Sequence, residues 1–398
     1  MRAFTPCSSG AEARFAMASR WSTVLASPLR TLADACVFQP LSAPVPADDA
    51  AFAARKGMLR LAVRTARRAW LLRLSGQTRW LTAELDPGWR RLLWIHEGMP
   101  QIGDALMDLA PRSLLVERGI HVDLFAAPHI AALFEHDAWF TRSLSQPCEV
   151  GAQDYDAAIV MSHDRKSLAI KRARLPALPW VSIQGFYGGP DFHRGRFSAQ
   201  RIADLLRITL SPDALAWHAR QKLCLKHDTG TAPDAPRVDN AIAFAMGGVH
   251  AERTYHRWPE LVKALAARGI RRFILVGARN GRESADRLIA CAGADVEVLD
   301  RVGRTSLSEA QRLFDGSAAV VCPDGGLMHL ALTTSAPVVA MFSSAIQPDW
   351  RLPAPFVGAA LQSPTTEVDG ISPEVVADAV QALLGQRSRA RPALSNGV

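Results

Sequence analysis

The feature that most constrains this chain is an alternation of short apolar runs with amphipathic, helix-length segments, and it occurs twice. In the first half the apolar runs are RRLLWIH (90–96), HVDLFAA (121–127), YDAAIVM (155–161) and WVSIQGF (180–186). Between the first three lie helical patterns over 104–118, closed by Gly119, and over 130–136. In the second half AIAFAM, RRFILVGA, VEVLD, SAAVVCP and APVVAMF alternate with WPELVKALAARG, SADRLIACAG, SLSEAQRLF and GLMHLALTT. Continuous apolar runs of four to eight residues separated by helices are the pattern of buried parallel strands in βαβ units. The punctuation agrees. Pro259 falls in a first helical turn and Gly269 just past its end, and Ser306 with Glu309 makes a capping box.

A polar, Pro- and Asp-rich stretch, HDTGTAPDAPRVD (227–239), interrupts the alternation and reads as a linker. The expected architecture is α/β, with two Rossmann-like domains (90–226 and 240–385) facing a cleft. A basic, mainly helical extension (1–89) precedes them and a flexible tail (386–398) follows. At 398 residues two cores are expected in any case. Ligands of such sheets bind beyond the carboxyl ends of the strands.

Composition narrows the function classes. Apolar residues at 48% and charged residues at 21% describe a globular chain. No apolar run reaches the roughly 20 residues needed to span a bilayer, and the first residues lack the apolar stretch of a secretory signal, so a cytoplasmic location is expected. The six cysteines are scattered, with no spacing that suits a metal, and are expected to be reduced. A net charge of +8 admits nucleic acid, an anionic membrane or an anionic substrate. No nucleic-acid-binding motif supports the first. In LRLAVRTARRAWLLRLSGQTRW (59–80), Leu61, Val63, Ala66, Trp70 and Leu74 recur at helical spacing among arginines. Two readings stay open there: an interfacial helix on anionic lipid, peripheral to the inner membrane face, or a solvated helix packed on the body.

Three strand ends carry candidate chemistry. In MPQIGDALMDL, Gly103 permits a tight turn and Asp104 starts a helix. The carboxylate is either a plain helix-terminal cap or a general base facing the cleft. In VVCPDGGLMHLAL, Asp324, Gly325 and Gly326 turn into a helix beginning near Leu327, with His329 in its first turns. Its free N–H groups could receive a diphosphate, though a glycine turn is common in any α/β protein. In MGGVHAERTYHRWPE, Gly247 and Gly248 could approach a phosphate and Arg253, His256 and Arg257 supply cationic donors. The alternative there is a polar loop whose Trp packs on the sheet.

Taken in order, IGDALMDLAP, YDAAIVM, HRWPELVKAL, VGRTSLSEAQRLF and PDGGLMHLALTTSAPVVAMF resemble the motifs of glycosyltransferase family 9, the heptosyltransferase group, from about residue 90 to 385. The resemblance implies a GT-B-type fold and an inverting transfer without a metal or other cofactor, with a nucleotide sugar, ADP-heptose first, as co-substrate. It implies Asp104 as base beside Gly103 on the acceptor side. Gly247, Gly248, Arg253, His256, Arg257, Asp324, Gly325, Gly326, Leu327 and His329 would hold the donor. The implied acceptor is a lipopolysaccharide core or related glycan. The chain departs from the family where His256 replaces a usual Lys, where Arg279-Asn280 replaces an acidic ribose partner, and where Asp-Gly-Gly replaces Asp-Ser/Thr-Gly. Those departures leave two further classes open: a nucleotide-sugar epimerase or hydrolase of the same fold, and a catalytically silent subunit that binds nucleotide sugar.

Overall fold

The apolar runs become strands, buried on both faces where helices cover the sheet from both sides; VEVLD, at an edge of the second sheet, is only partly buried. The computed structural model describes residues 57–185, 193–224 and 240–390. The first sheet contains β1 (Arg91–His96), β2 (His121–Ala126), β3 (Ser143–Leu144), β4 (Ala157–Ser162) and β5 (Trp180–Gly185). All its pairings are parallel, in the order β3-β2-β1-β4-β5. The second sheet contains β6 (Ile242–Met246), β7 (Arg272–Gly277), β8 (Glu297–Asp300), β9 (Ala319–Pro323), β10 (Val338–Phe342) and β11 (Gly358–Gln362). It is also parallel throughout, in the order β11-β10-β9-β6-β7-β8. The α/β architecture of two parallel sheets is therefore as expected.

Several boundaries differ from the sequence reading, for local reasons. The single helix expected over 104–118 is two short ones, Ile102–Asp108 and Arg112–Val116, because Pro111 between them cannot continue a helix. The last helix, Pro373–Ala390, runs five residues beyond Gly385, into the stretch expected to be tail. The capping box at Ser306 and Glu309 forms in both directions. β3 and β11 were not foreseen; both lie at sheet edges, and neither is a long apolar run. The linker expected at 227–239, residues 1–56 and residues 391–398 lie outside the described residues, as do Cys7 and Cys36. The four described cysteines are free thiols.

The two sheets share one apolar core. Leu92, Trp94 and Leu106 of the first half belong to the same buried cluster as Ala243, Val320 and Leu330 of the second. Contact runs through the helix that follows β1 (Ile102–Asp108) and the helix that follows β9 (Gly326–Ala331), whose N-terminal turns meet. The junction thus lies at the carboxyl ends of the central strands of both sheets.

The described part of the extension, residues 57–89, is fixed to the first sheet. The buried Lys171 ammonium donates to Gln77 Oε1 at 2.7 Å and to the Leu175 carbonyl at 2.6 Å. Trp180 Nε1 donates to the Gln77 carbonyl at 3.0 Å, and Leu85 N–H to the Leu205 carbonyl at 2.9 Å. The helix Met58–Leu74 buries Ala69 and Leu72. Of the stripe at helical spacing, Val63, Trp70 and Leu74 face away from the body, 57%, 59% and 78% exposed, and other residues of the helix do the packing.

Candidate active site between the sheets

The site begins at the turn after β1. The chain leaves β1, reverses through Gly98 to Gln101, and enters the helix Ile102–Asp108 with Asp104 in its first turn. Asp104 does not cap that helix: the N-cap is Gln101, and it makes no side-chain cap bond. The bland alternative for Asp104 therefore has no cap bond behind it. Burial raises the Asp104 carboxyl above the usual carboxylate range and the neighbouring Asp108 charge adds to this, while Arg194, Arg351 and His96 pull the other way. A carboxylate raised by desolvation is a better proton acceptor than one in water.

One turn along the same helix, Asp108 is completely buried. It accepts from Arg194 Nε at 2.9 Å and Arg194 Nη2 at 2.5 Å, and it pairs with His96 Nε2 at 3.2 Å. Gln184 Nε2 lies 3.3 Å away. Burial would raise the Asp108 carboxyl, but Arg194 and the His96 bond hold it below its ordinary value, so it is an anion. The same Arg194 guanidinium passes 3.6 Å from Asp104. Asp108 thus claims the bidentate face of Arg194, and Asp104 receives only a looser contact.

Facing these from the second sheet is the Asp324-Gly325-Gly326 turn after β9. Asp324 is buried and lies between two arginines, 3.3 Å from Arg253 Nη1 and 3.7 Å from Arg351 Nε. Gly325, Gly326 and Leu327 are half-buried at the N-terminus of the following helix. His329, on that helix, is pressed against the turn of the first half. A Cβ on Gly103 would run into His329 Cδ2 and lie 3.1 Å from Nε2, so the close approach requires glycine. Burial, with Arg351, His193, Arg194 and Arg253 nearby, lowers the His329 imidazole to about 3. His329 is therefore neutral near pH 7.

The loop after β6 places the remaining candidates. Gly247 has a φ of +87°, and its missing side chain lets the segment Arg279–Gly281 close over it; Asn280 Nδ2 donates to the Gly248 carbonyl at 2.9 Å. His256 is half-exposed and bonded to Asp369, its Nδ1 at 2.7 Å and its backbone N–H at 2.6 Å. Arg257 makes no ion pair with a described residue. Trp258 is fully buried, 5.0 Å from the Phe244 ring and 5.1 Å from Tyr255, so the reading of a Trp packed on the sheet holds alongside the cationic loop.

The junction accordingly brings Gly103, Asp104, Arg253, Asp324, Gly325, Gly326 and His329 together, with Gly247, Gly248, His256 and Arg257 on the loop at the same end of the second sheet. Four polar participants escaped the sequence reading: Asp108, Arg194, Arg351 and Asp369. Only Asp108 had a sequence signal, since it stands four residues after Asp104 on a helix and so shares its face. Arg194 and Arg351 come from a helix start and an irregular loop that no motif marks.

Residues 202–359 match the family model of glycosyltransferase family 9 (heptosyltransferase). The chain is family-9-like. It is 31% identical over 149 residues to lipopolysaccharide heptosyltransferase 2 of Salmonella typhimurium, and that match spans 36% of this chain and 42% of the relative. Its match to the same-named protein of Escherichia coli K12 is also 31% identical, over 104 residues, covering 24% and 29% of the two chains. The chain thus spans well under two thirds of the curated relatives it matches. Among solved structures, a family 9 glycosyl transferase from Veillonella parvula superposes with a TM-score of 0.58 at 13% identity, covering 76% of this chain and 99% of the other. The E. coli ADP-heptose lps heptosyltransferase II gives 0.55 at 18%, covering 75% and 99%. At such identities these structures establish the fold, and it is the GT-B-type fold the motifs implied.

Proposed function

We propose that the chain is an inverting glycosyltransferase that moves a sugar, heptose from ADP-heptose first among candidates, onto a lipopolysaccharide-core or related glycan acceptor. The observation that carries this reading is the pairing across the junction: a carboxylate raised by burial on one sheet faces a glycine turn flanked by arginines on the other. In this reading the donor diphosphate lies on the N–H groups of Gly325, Gly326 and Leu327, with Gly247 and Gly248 leaving room beside it. Arg253 and Arg351 border Asp324 and offer donors to the charge that grows on the leaving diphosphate. Arg257 extends that positive edge, and His256, oriented by Asp369, stands beside it. These side chains supply the counter-charge that a divalent cation supplies in other transferases, so the reaction needs no metal.

Asp104 removes the proton from the acceptor hydroxyl as its oxygen attacks the anomeric carbon. The bond to the diphosphate breaks on the opposite face, and configuration inverts. His329, neutral and wedged on Gly103, keeps the two turns in register. We place this chemistry in the cytoplasm, with the acceptor lipid-borne at the inner membrane face. The test is nucleoside diphosphate release from ADP-, GDP- and UDP-sugars with and without acceptor. Release that needs acceptor supports transfer; release without it supports the epimerase or hydrolase class; tight nucleotide binding with no release supports a silent subunit.

A further inference from the structure

We propose that the exposed face of the helix Met58–Leu74 is a docking surface for an anionic lipid bilayer. The inference stands on that helix alone and holds or fails independently of the transfer reading.

At 100° per residue, Val63, Trp70 and Leu74 fall within a stripe about 40° wide. All three are more than half exposed, while Ala69 and Leu72 on the opposite side hold the helix to the body. Among the described residues, nothing in the packing requires a Trp and a Leu on the outer face; burial is already supplied from the inner one. Arg60, Arg64 and Arg67 flank the stripe on one side and Arg73 on the other, all exposed. The helix contains no acidic residue, so these charges have no partner within it.

The neighbouring helix Arg165–Arg174 packs against the helix Met58–Leu74 and exposes Arg165, Lys166 and Arg172, again with no acidic residue inside its bounds. A rigid apolar ridge rimmed by guanidinium groups matches the boundary between headgroups and acyl chains. The Trp and Leu side chains enter the boundary while Arg stems lie along it and their heads meet phosphate. The occupant is therefore a bilayer surface carrying negative headgroups, with the helix lying in its plane. Among the described residues no helix is long and apolar enough to cross it.

The test uses the full chain and vesicles of phosphatidylcholine, alone or with about one third phosphatidylglycerol. The expected result is flotation with the anionic vesicles only, weakened as salt is raised. Replacing Trp70 and Leu74 together with Ser should weaken partition by about a hundredfold, roughly tenfold for each inserted side chain. Arg60→Gln, Arg64→Gln, Arg67→Gln and Arg73→Gln combined should weaken it by at least as much, about fivefold for each charge. Quenching of tryptophan emission by brominated acyl chains should diminish in Trp70→Phe, which keeps the apolar bulk. Unchanged melting temperature and unchanged ADP release with a soluble acceptor fragment separate lost docking from lost folding or lost activity. Absence of binding to anionic vesicles, equal binding to neutral ones, or binding indifferent to these substitutions overturns the proposal. So does a dimer in solution that the Trp70 and Leu74 substitutions dissociate, which would assign the face to a second copy.

Discussion

Removing the charge of Asp108 should shift the acid limb of the pH–rate profile to lower pH, although Asp108 is too buried to meet a substrate. Its carboxylate takes two bonds from Arg194 and leaves the guanidinium 3.6 Å from Asp104. In Asp108→Asn the shape is kept and that claim on Arg194 weakens. If the guanidinium closes on Asp104 to an ordinary charge-assisted distance of about 2.8 Å, the added attraction is about 1.3 kcal/mol at an effective dielectric of about 20. That corresponds to about one pKa unit, downward, because the cation favours the ionised carboxylate. Loss of repulsion from the Asp108 charge acts in the same direction. A general base works when deprotonated, so activity disappears as pH falls through its pKa. The wild-type limb should therefore lie above the usual carboxylate range, and the variant's limb about one unit below it. The plateau should also fall, since a less basic carboxylate takes up the proton less readily. Initial rates of ADP release between pH 4.5 and 8, with circular dichroism to confirm folding, read both effects. An unmoved limb, or one moved upward, would refute the argument that Asp108 keeps Arg194 from neutralising Asp104.

Gly103→Ala should force its new methyl against the buried His329 ring; overpacking of this kind costs about 1–3 kcal/mol. If the cost falls on the approach of the two turns, kcat drops about tenfold to a hundredfold while nucleotide affinity, measured by calorimetry, changes far less. Equal losses in both would show that the turn serves donor binding instead. Acid stability gives another expectation. His163 and His329 are each lowered to about 3 by burial, against about 6.5 unfolded. Between those values the unfolded chain binds more protons, so their contribution is fully present above about pH 6.5 and is lost as pH falls toward 3. Urea midpoints at pH 7.5, 6 and 5 should decline in that order, and His329→Gln should flatten the decline; a flat wild-type profile would contradict the burial argument.

Much of the fold was legible because its information is local. RRLLWIH, AIAFAM and SAAVVCP are strand-length apolar runs, and in the structure they are the central strands β1, β6 and β9. Asp104 and the Asp324-Gly325-Gly326 turn were legible for a related reason. Ligand-facing residues of parallel sheets follow strands directly, so finding the strand finds the position. Arg194 and Arg351 were not legible, because a lone arginine at a helix start or in a loop has no local pattern; only the tertiary fold gives each a carboxylate, Asp108 to Arg194 within the first half and Asp324 to Arg351 within the second. His256 was read as a cationic donor, but its bond to Asp369, more than a hundred residues away, is a tertiary fact. The Val63, Trp70 and Leu74 stripe shows the opposite limit. Helical spacing puts Val63, Trp70 and Leu74 on one face but could not say which side the body would occupy, because Ala69 and Leu72 on another face supply enough apolar surface to pack.

The measurement that bears most directly on the central claim is acceptor-dependent ADP release from ADP-heptose by the full chain, compared with Asp104→Asn and Asp104→Ala. The account predicts release that requires acceptor. It also predicts a loss of about a hundredfold to ten-thousandfold in both variants, as expected for removing a general base, with ADP binding nearly unchanged. Near wild-type release in either variant would contradict the assignment of Asp104 as the base.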